Sequence, residues 1–197
     1  MRMGFITVFA LLTGCASHYF PSSTSRDVLI VPPDGKVEFA VDEDGRVEEV
    51  EFHCKPAELP QAVLQAADLA YSGGRIVDCE KEHRDGDVYY EVTKEINGRE
   101  FEVLVTPEGV IERREIEVDA GSLPQAVNAA ADQAVPGGRR TKSEEIRDRE
   151  NKLEEYHVKI ERQGLRFKVV LTPEGRVLRV ARETLAEIEV PVQLSRP

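Results

Sequence analysis

Tryptophan is absent from the 197-residue chain, aromatic residues make up only 6%, and there are three cysteines and two methionines. A core here has to come from Val, Ile, Leu and Ala more than from rings. Basic residues are also short, with 26 Lys and Arg against 37 Asp and Glu and a formal net charge of −11. Nucleic-acid binding needs a basic footprint to displace counterions, so no nucleic-acid partner is expected. No apolar run approaches the roughly 20 residues of a spanning helix. There is no Gly-x-Ser-x-Gly nucleophile turn and no Gly-rich phosphate loop. Carboxylates are so abundant that accidental pairs are expected, and along the strands they alternate with Lys and Arg as on a solvated face. No catalytic residue and no cofactor is therefore assigned. What remains is 41% hydrophobic, enough for a packed core, in a chain long enough for one or two domains.

The N-terminus has the grammar of an export signal. Arg2 is a positive start, Gly4 to Gly14 is an 11-residue apolar stretch, and Leu12-Thr13-Gly14-Cys15 closes it. This ending resembles the lipobox of bacterial lipoproteins. The resemblance implies cleavage after residue 14 and acylation of Cys15, which anchors a chain on a membrane without crossing it. Ala16, not Asp, follows the cysteine. By resemblance to enterobacterial sorting this favours the outer over the inner membrane. Residues 15–36, with Ser, Thr and three Pro, read as a tether containing a candidate short strand at Asp27–Val31.

The rest of the chain repeats itself. Leu59-Pro60-Gln61-Ala62-Val63 recurs as Leu123-Pro124-Gln125-Ala126-Val127, Ala66-Ala67-Asp68 as Ala130-Ala131-Asp132, and Gly73-Gly74-Arg75 as Gly137-Gly138-Arg139, all at an offset of 64. Tyr90, Gly98, Phe101 and Thr106-Pro107-Glu108-Gly109 recur at an offset of 66 as Tyr156, Gly164, Phe167 and Thr172-Pro173-Glu174-Gly175. Val37–Cys54 fits the last hairpin of the unit as a truncated copy. Each unit starts with helical spacing, as in Leu123, Val127, Ala130 and Ala134, with Ser122 and Gln125 as a capping box. Period-two alternation follows: Tyr90 and Val92 point one way, Glu91, Thr93 and Glu95 the other. Asn97-Gly98, Asp85-Gly86 and Thr-Pro-Glu-Gly supply the turns.

The strings Val88-Tyr89-Tyr90-Glu91-Val92, Asn97-Gly98, Phe101-Glu102-Val103 and Pro107-Glu108-Gly109 resemble the PepSY-like, or β-lactamase-inhibitor-like, domain family. So do Tyr156-His157-Val158-Lys159-Ile160, Gly164, Phe167-Lys168-Val169 and Pro173-Glu174-Gly175. The resemblance covers residues 57–184 and implies no catalytic residues. The expected class is α+β: tandem α-β-β-β-β units with a helix on one face of an antiparallel sheet, resembling the β-lactamase inhibitory protein fold. The chain divides into a signal peptide (1–14), tether (15–36), partial hairpin unit (37–56), two PepSY-like repeats (57–120 and 121–190) and a tail (191–197). Residues 139–152 depart from the pattern, since only Ile146 is apolar; a short edge strand and a loop both remain open there.

His53, Cys54, Cys79 and His83 invite a zinc reading, but adjacent strand residues face opposite ways, and four residues along a strand is about 13 Å. No metal is assigned. In an oxidising compartment Cys54 and Cys79, the two left once Cys15 is lipidated, form a candidate disulfide; two independent thiols are the alternative. Charge is uneven: residues 58–118 carry a net −8 and residues 122–184 a net +3. The expected function is a non-enzymatic, lipid-anchored protein of the bacterial envelope, facing the periplasm or exterior. It would bind a protein or peptide, with inhibition one form of that binding, through the sheet face opposite the helices. That face would expose Glu91, Thr93, Glu95, Glu100 and Glu102 in the first repeat and His157, Lys159, Glu161, Arg166 and Lys168 in the second. The alternative is a structural or assembly lipoprotein of the envelope.

Overall fold

Hairpin chemistry organises the molecule. Asp85-Gly86, Asn97-Gly98 and Gln163-Gly164 all sit at positive φ, the requirement of the two-residue turn whose twist matches paired strands. In the computed structural model, which describes residues 37–185, these and similar turns link ten strands. They are β1 (Val37–Val41), β2 (Val47–His53), β3 (Arg75–Arg84), β4 (Asp87–Ile96), β5 (Arg99–Val105), β6 (Ile111–Glu117), β7 (Arg139–Arg147), β8 (Leu153–Arg162), β9 (Leu165–Leu171) and β10 (Val177–Glu183). Helix α1 (Gln61–Ala70) lies between β2 and β3, and α2 (Gln125–Ala134) between β6 and β7. The strands form one antiparallel sheet in chain order. The leader, Cys15, the tether with the strand expected at Asp27–Val31, residues 186–190 and the tail lie outside the described residues.

The expected tandem of α-β-β-β-β units is corrected by this topology. The described residues form one ten-stranded sheet with two short helices, not a pair of α-β-β-β-β units. The reason lies at Arg114–Glu117 of β6, which pair with Arg147–Glu144 of β7. The edge that would separate two units is thereby consumed in the ladder, and unpaired edges are costly to leave. A second correction concerns residues 139–152. Residues 139–147 form neither an edge strand nor a loop but β7, a nine-residue strand bonded on both sides, and only 148–152 are left as the β7–β8 turn. A third concerns the capping box. Ser122 ends a short 3-10 turn and its hydroxyl donates to the Asp119 carbonyl at 2.7 Å, while α2 starts at Gln125 after Pro124.

Both helices lie on the same face. Cross-strand partners share a face, and Phe101↔Ile116, Ile116↔Glu145 and Glu145↔Tyr156 carry that face from the first half to the second. On it, Val63, Ala66 and Ala67 of α1 pack on Cys79, Val92, Val103 and Val105. Val127 and Ala131 of α2 pack on Tyr156, Val158, Ile160, Val169 and Leu171. Burying a Val or Leu side chain is worth about 1.5–3 kcal/mol, so these two patches are the main apolar stabilisation. Phe101 and Phe167 are only half-buried at their margins, Phe101 tilted against Tyr71 at 5.0 Å between ring centres. The Asp of each Ala-Ala-Asp string reaches a cation on the sheet: Asp68 meets the buried Lys94 at 2.5 Å and Asp132 meets Arg140 at 2.7 Å.

The two Thr-Pro-Glu-Gly turns are seated against the helices. Gly109 (φ +89°) would place a Cβ 2.9 Å from the Ala62 carbonyl, and Gly175 (φ +87°) 2.6 Å from that of Ala126. Only glycine fits both the backbone angle and the space.

Candidate functional site

The face opposite the helices carries the chain's chemistry. Pairings Thr93↔Glu102, Glu95↔Glu100 and Glu91↔Leu104 place Glu91, Thr93, Glu95, Glu100 and Glu102 together on it. His157↔Val170, Lys159↔Lys168 and Glu161↔Arg166 place the other five candidates on the same side. Alternation therefore assigns the side correctly. The expected solvation is corrected, however. Only Arg166 of the ten is exposed, eight are half-buried, and His157 is buried. The reason is lateral: neighbouring strands lie about 4.8 Å apart, and long side chains on a ten-stranded sheet cover one another.

A network of three neighbouring ion-pair clusters results. Arg113 on β6 meets Glu115 at 2.8 Å and Glu91 at 3.7 Å. Lys142 on β7 gathers three carboxylates, Glu102 at 2.7 Å, Glu144 at 2.7 Å and Glu100 at 3.0 Å. A bulge between Arg140 and Lys142 turns Lys142 onto this face, whereas Arg140 points at α2. His157 Nε2 donates to Glu155 at 3.2 Å, and its Nδ1 stands 3.9 Å from Glu115. At the other end, Arg84 reaches Glu82 at 3.2 Å and Glu49 at 3.6 Å. Arg113, Glu115, Lys142, Glu144, Glu82, Glu49 and Glu155 were not among the candidates. Alternation in β6 (Arg113, Glu115, Glu117) would have found some of them; β7 has a single apolar residue, Ile146, too little to mark a strand.

Burial and like charge shift these groups. Burial first, then its contacts with Glu49, Glu80 and Glu82, push Glu51 up to about 9. Burial and Glu49 push Glu82 up to about 7. Burial, with Glu115 and Glu102 beside it, raises Glu91 well above the carboxylate range. Burial would also raise Glu115, but Arg113, His157, Lys168 and Lys159 outweigh it and hold the carboxyl low. Burial lowers His157, so it stays neutral at pH 7. Burial acts against the charge of Lys142, yet Glu144 and Glu102 raise it. The face is thus acidic and partly protonated over β2–β4, and basic toward Lys159, Arg166 and Lys168 on β8 and β9.

Glu115, Glu144 and His157 bring ligand atoms within 4.8 Å of one another, a donor set of the kind divalent metals use. Arg113 and Lys142 already stand at the two carboxylates as their counter-charges. A depression of about 390 Å³ beside the β3–β4 and β5–β6 turns is lined by Gly86, Asp87, Val88, Tyr89, Thr106, Pro107 and Glu108. It brings together no nucleophile with a base.

No protein-family profile matches the chain. No curated protein matches it in sequence. Solved structures share its fold. A DUF2874 family protein from Bacteroides uniformis is 16% identical, with a TM-score of 0.51 over 62% of this chain and 88% of that one. A protein from Bacteroides eggerthii, provisionally described as periplasmic, is 19% identical, with a TM-score of 0.50 over the same shares. A protein from Bacteroides fragilis described as BLIP-like is 22% identical, covering 68% of this chain and 94% of that one at a TM-score of 0.47.

Proposed function

We propose that the chain is an exported, non-enzymatic lipoprotein of the bacterial envelope that holds a protein or peptide partner on the charged face of its sheet. The observation that carries the reading is the face itself. Seven or more strands present their charged residues to one side, with no described helix packed there, and the sign runs from acidic to basic across it. Such a gradient fixes a partner's orientation and speeds encounter more than it adds affinity. Export is supported by Arg2, the apolar stretch to Gly14 and Cys15. The periplasmic description of the Bacteroides eggerthii protein is compatible with it. The residues resembling PepSY-like domains support placing the chain near that family, and inhibition is one form the binding could take.

The test uses the margin of the network, where the Glu95 and Glu100 side chains are 40% and 45% exposed and Arg166 is 66% exposed, so folding is expected to survive. Glu95→Lys with Glu100→Lys, and separately Arg166→Glu with Lys168→Glu, reverse the two ends of the gradient. Natural partners captured from the envelope by the full-length wild-type chain should be lost with both pairs, more at low salt than at high salt. Wild-type capture by both pairs at low salt would remove this face from consideration.

A further inference from the structure

Cys54 directly follows β2, and Cys79 lies in β3. The β2–β3 register ends at His53↔Glu80, so the next opposed pair is Cys54 and Cys79. The Cys54 N–H donates to the Cys79 carbonyl at 2.9 Å, which continues the ladder by one step. Both side chains turn to the helix face, where Cys79 is 2% exposed in the first core patch and Cys54 packs against its margin. Their Sγ atoms are 3.2 Å apart.

We propose that Cys54 and Cys79 form a cross-strand disulfide that locks α1 and the β1–β2 hairpin to β3. Opposed antiparallel residues hold Cα atoms about 4.5–5.5 Å apart, inside the range of about 4.4–6.8 Å that a disulfide spans. Side-chain rotation alone closes 3.2 Å to the bond length of about 2.04 Å. No other thiol lies among the described residues to compete.

The step is thiol–disulfide exchange with a disulfide donor, glutathione disulfide or an oxidised dithiol oxidase. Cys54 is the more open of the two and meets the donor: its thiolate attacks one donor sulfur, breaks the donor's S–S bond and releases the first donor thiol. Cys79 then loses its proton to solvent, and its thiolate attacks Cys54 Sγ and expels the second donor thiol. Two S–H bonds are replaced by one S–S bond, and the two electrons and two protons end on the donor. The closed loop runs from residue 54 to 79 and contains all of α1. Such a cross-link restricts the unfolded chain, so the oxidised form should melt roughly 5–15 °C higher. In the cell the bond needs an oxidising compartment, but its formation needs no partner, and purified protein with a soluble donor suffices to test it.

The full-length chain carrying Cys15→Ser, reduced and then exposed to glutathione disulfide, is denatured, alkylated and weighed. The expected product has lost two hydrogens, carries no alkyl group and no glutathione, and yields a Cys54–Cys79 cross-linked peptide on digestion. Adding Cys79→Ser should stop the reaction at a glutathione adduct on Cys54. Two alkylated cysteines, or a persistent adduct on Cys54 with Cys79 alkylated, would overturn the proposal. An oxidised form melting no higher than the reduced one would overturn the locking role.

Discussion

Replacing Lys142 with Met removes one ammonium from among three carboxylates. Its side chain is 19% exposed, Glu144 is 1% and Glu102 is 13%, while Glu100 at 45% can turn to water. Two carboxylates therefore lose their counter-charge without gaining a solvent route. Breaking a buried pair from one side costs about 3–5 kcal/mol; allowing for the partial exposure of Lys142, about 2–4 kcal/mol is expected. For a chain of this size that is a drop in melting temperature of roughly 4–16 °C, read by circular dichroism. The penalty should depend on pH. Burial, with Glu115 and Glu144 beside it, already raises Glu102 against the pull of Lys142, so without Lys142 it binds its proton more tightly still. The variant then loses stability relative to wild type as pH rises through that raised value, and recovers it in acid. Adding Glu144→Gln to Lys142→Met should restore about half of the loss. A loss below about 0.5 kcal/mol at pH 7, equal at pH 5, would refute the claim that this ammonium neutralises the face.

Glu51→Gln tests the acidic end. Glu51 and Glu82 bind protons more tightly folded than unfolded, at about 9 and about 7, so they make wild-type stability fall as pH rises from about 5 to 9. The variant should match wild type near pH 5 and melt higher at pH 9; a wild-type slope in thermal scans would contradict this. Leu171→Ala, at 0% exposure against α2, should cost about 2–5 kcal/mol in urea unfolding, whereas Leu178→Ala, 46% exposed on β10, should cost less than about 0.5 kcal/mol. Gly175→Ala should destabilise by more than about 1 kcal/mol, because both its φ and the Ala126 carbonyl oppose a methyl group. Fatty-acid analogue labelling should mark wild type and leave Cys15→Ser unmarked; equal labelling would exclude acylation at Cys15.

These predictions separate what alternation can reveal from what it cannot. The turns were legible because Asn-Gly and Asp-Gly are among the few pairs that accept two positive φ values in succession. The side of each candidate was legible because a period of two is local. The burial of His157 was not, because it depends on Glu115, 42 residues earlier in the sequence, being brought from β6 by the register of the sheet. Strand β7 was illegible for a related reason. Ser143 and Glu145 face the helices and Lys142 and Glu144 face the network, so paired charge replaces the apolar residues by which a strand is recognised. The joining of the sheet at β6–β7 followed from that strand and could not be seen without it.

Lysine footprinting of the chain while it holds its natural partner tests the central claim most directly. Acetylation is compared between the free and partner-bound chain and read by mass spectrometry at Lys159 and Lys168 on the charged face, and at Lys55 and Lys152 away from it. Binding through the charged face predicts that Lys159 and Lys168 become protected while Lys55 and Lys152 react as in the free protein. Protection of Lys55 or Lys152, with Lys159 and Lys168 unchanged, would contradict it.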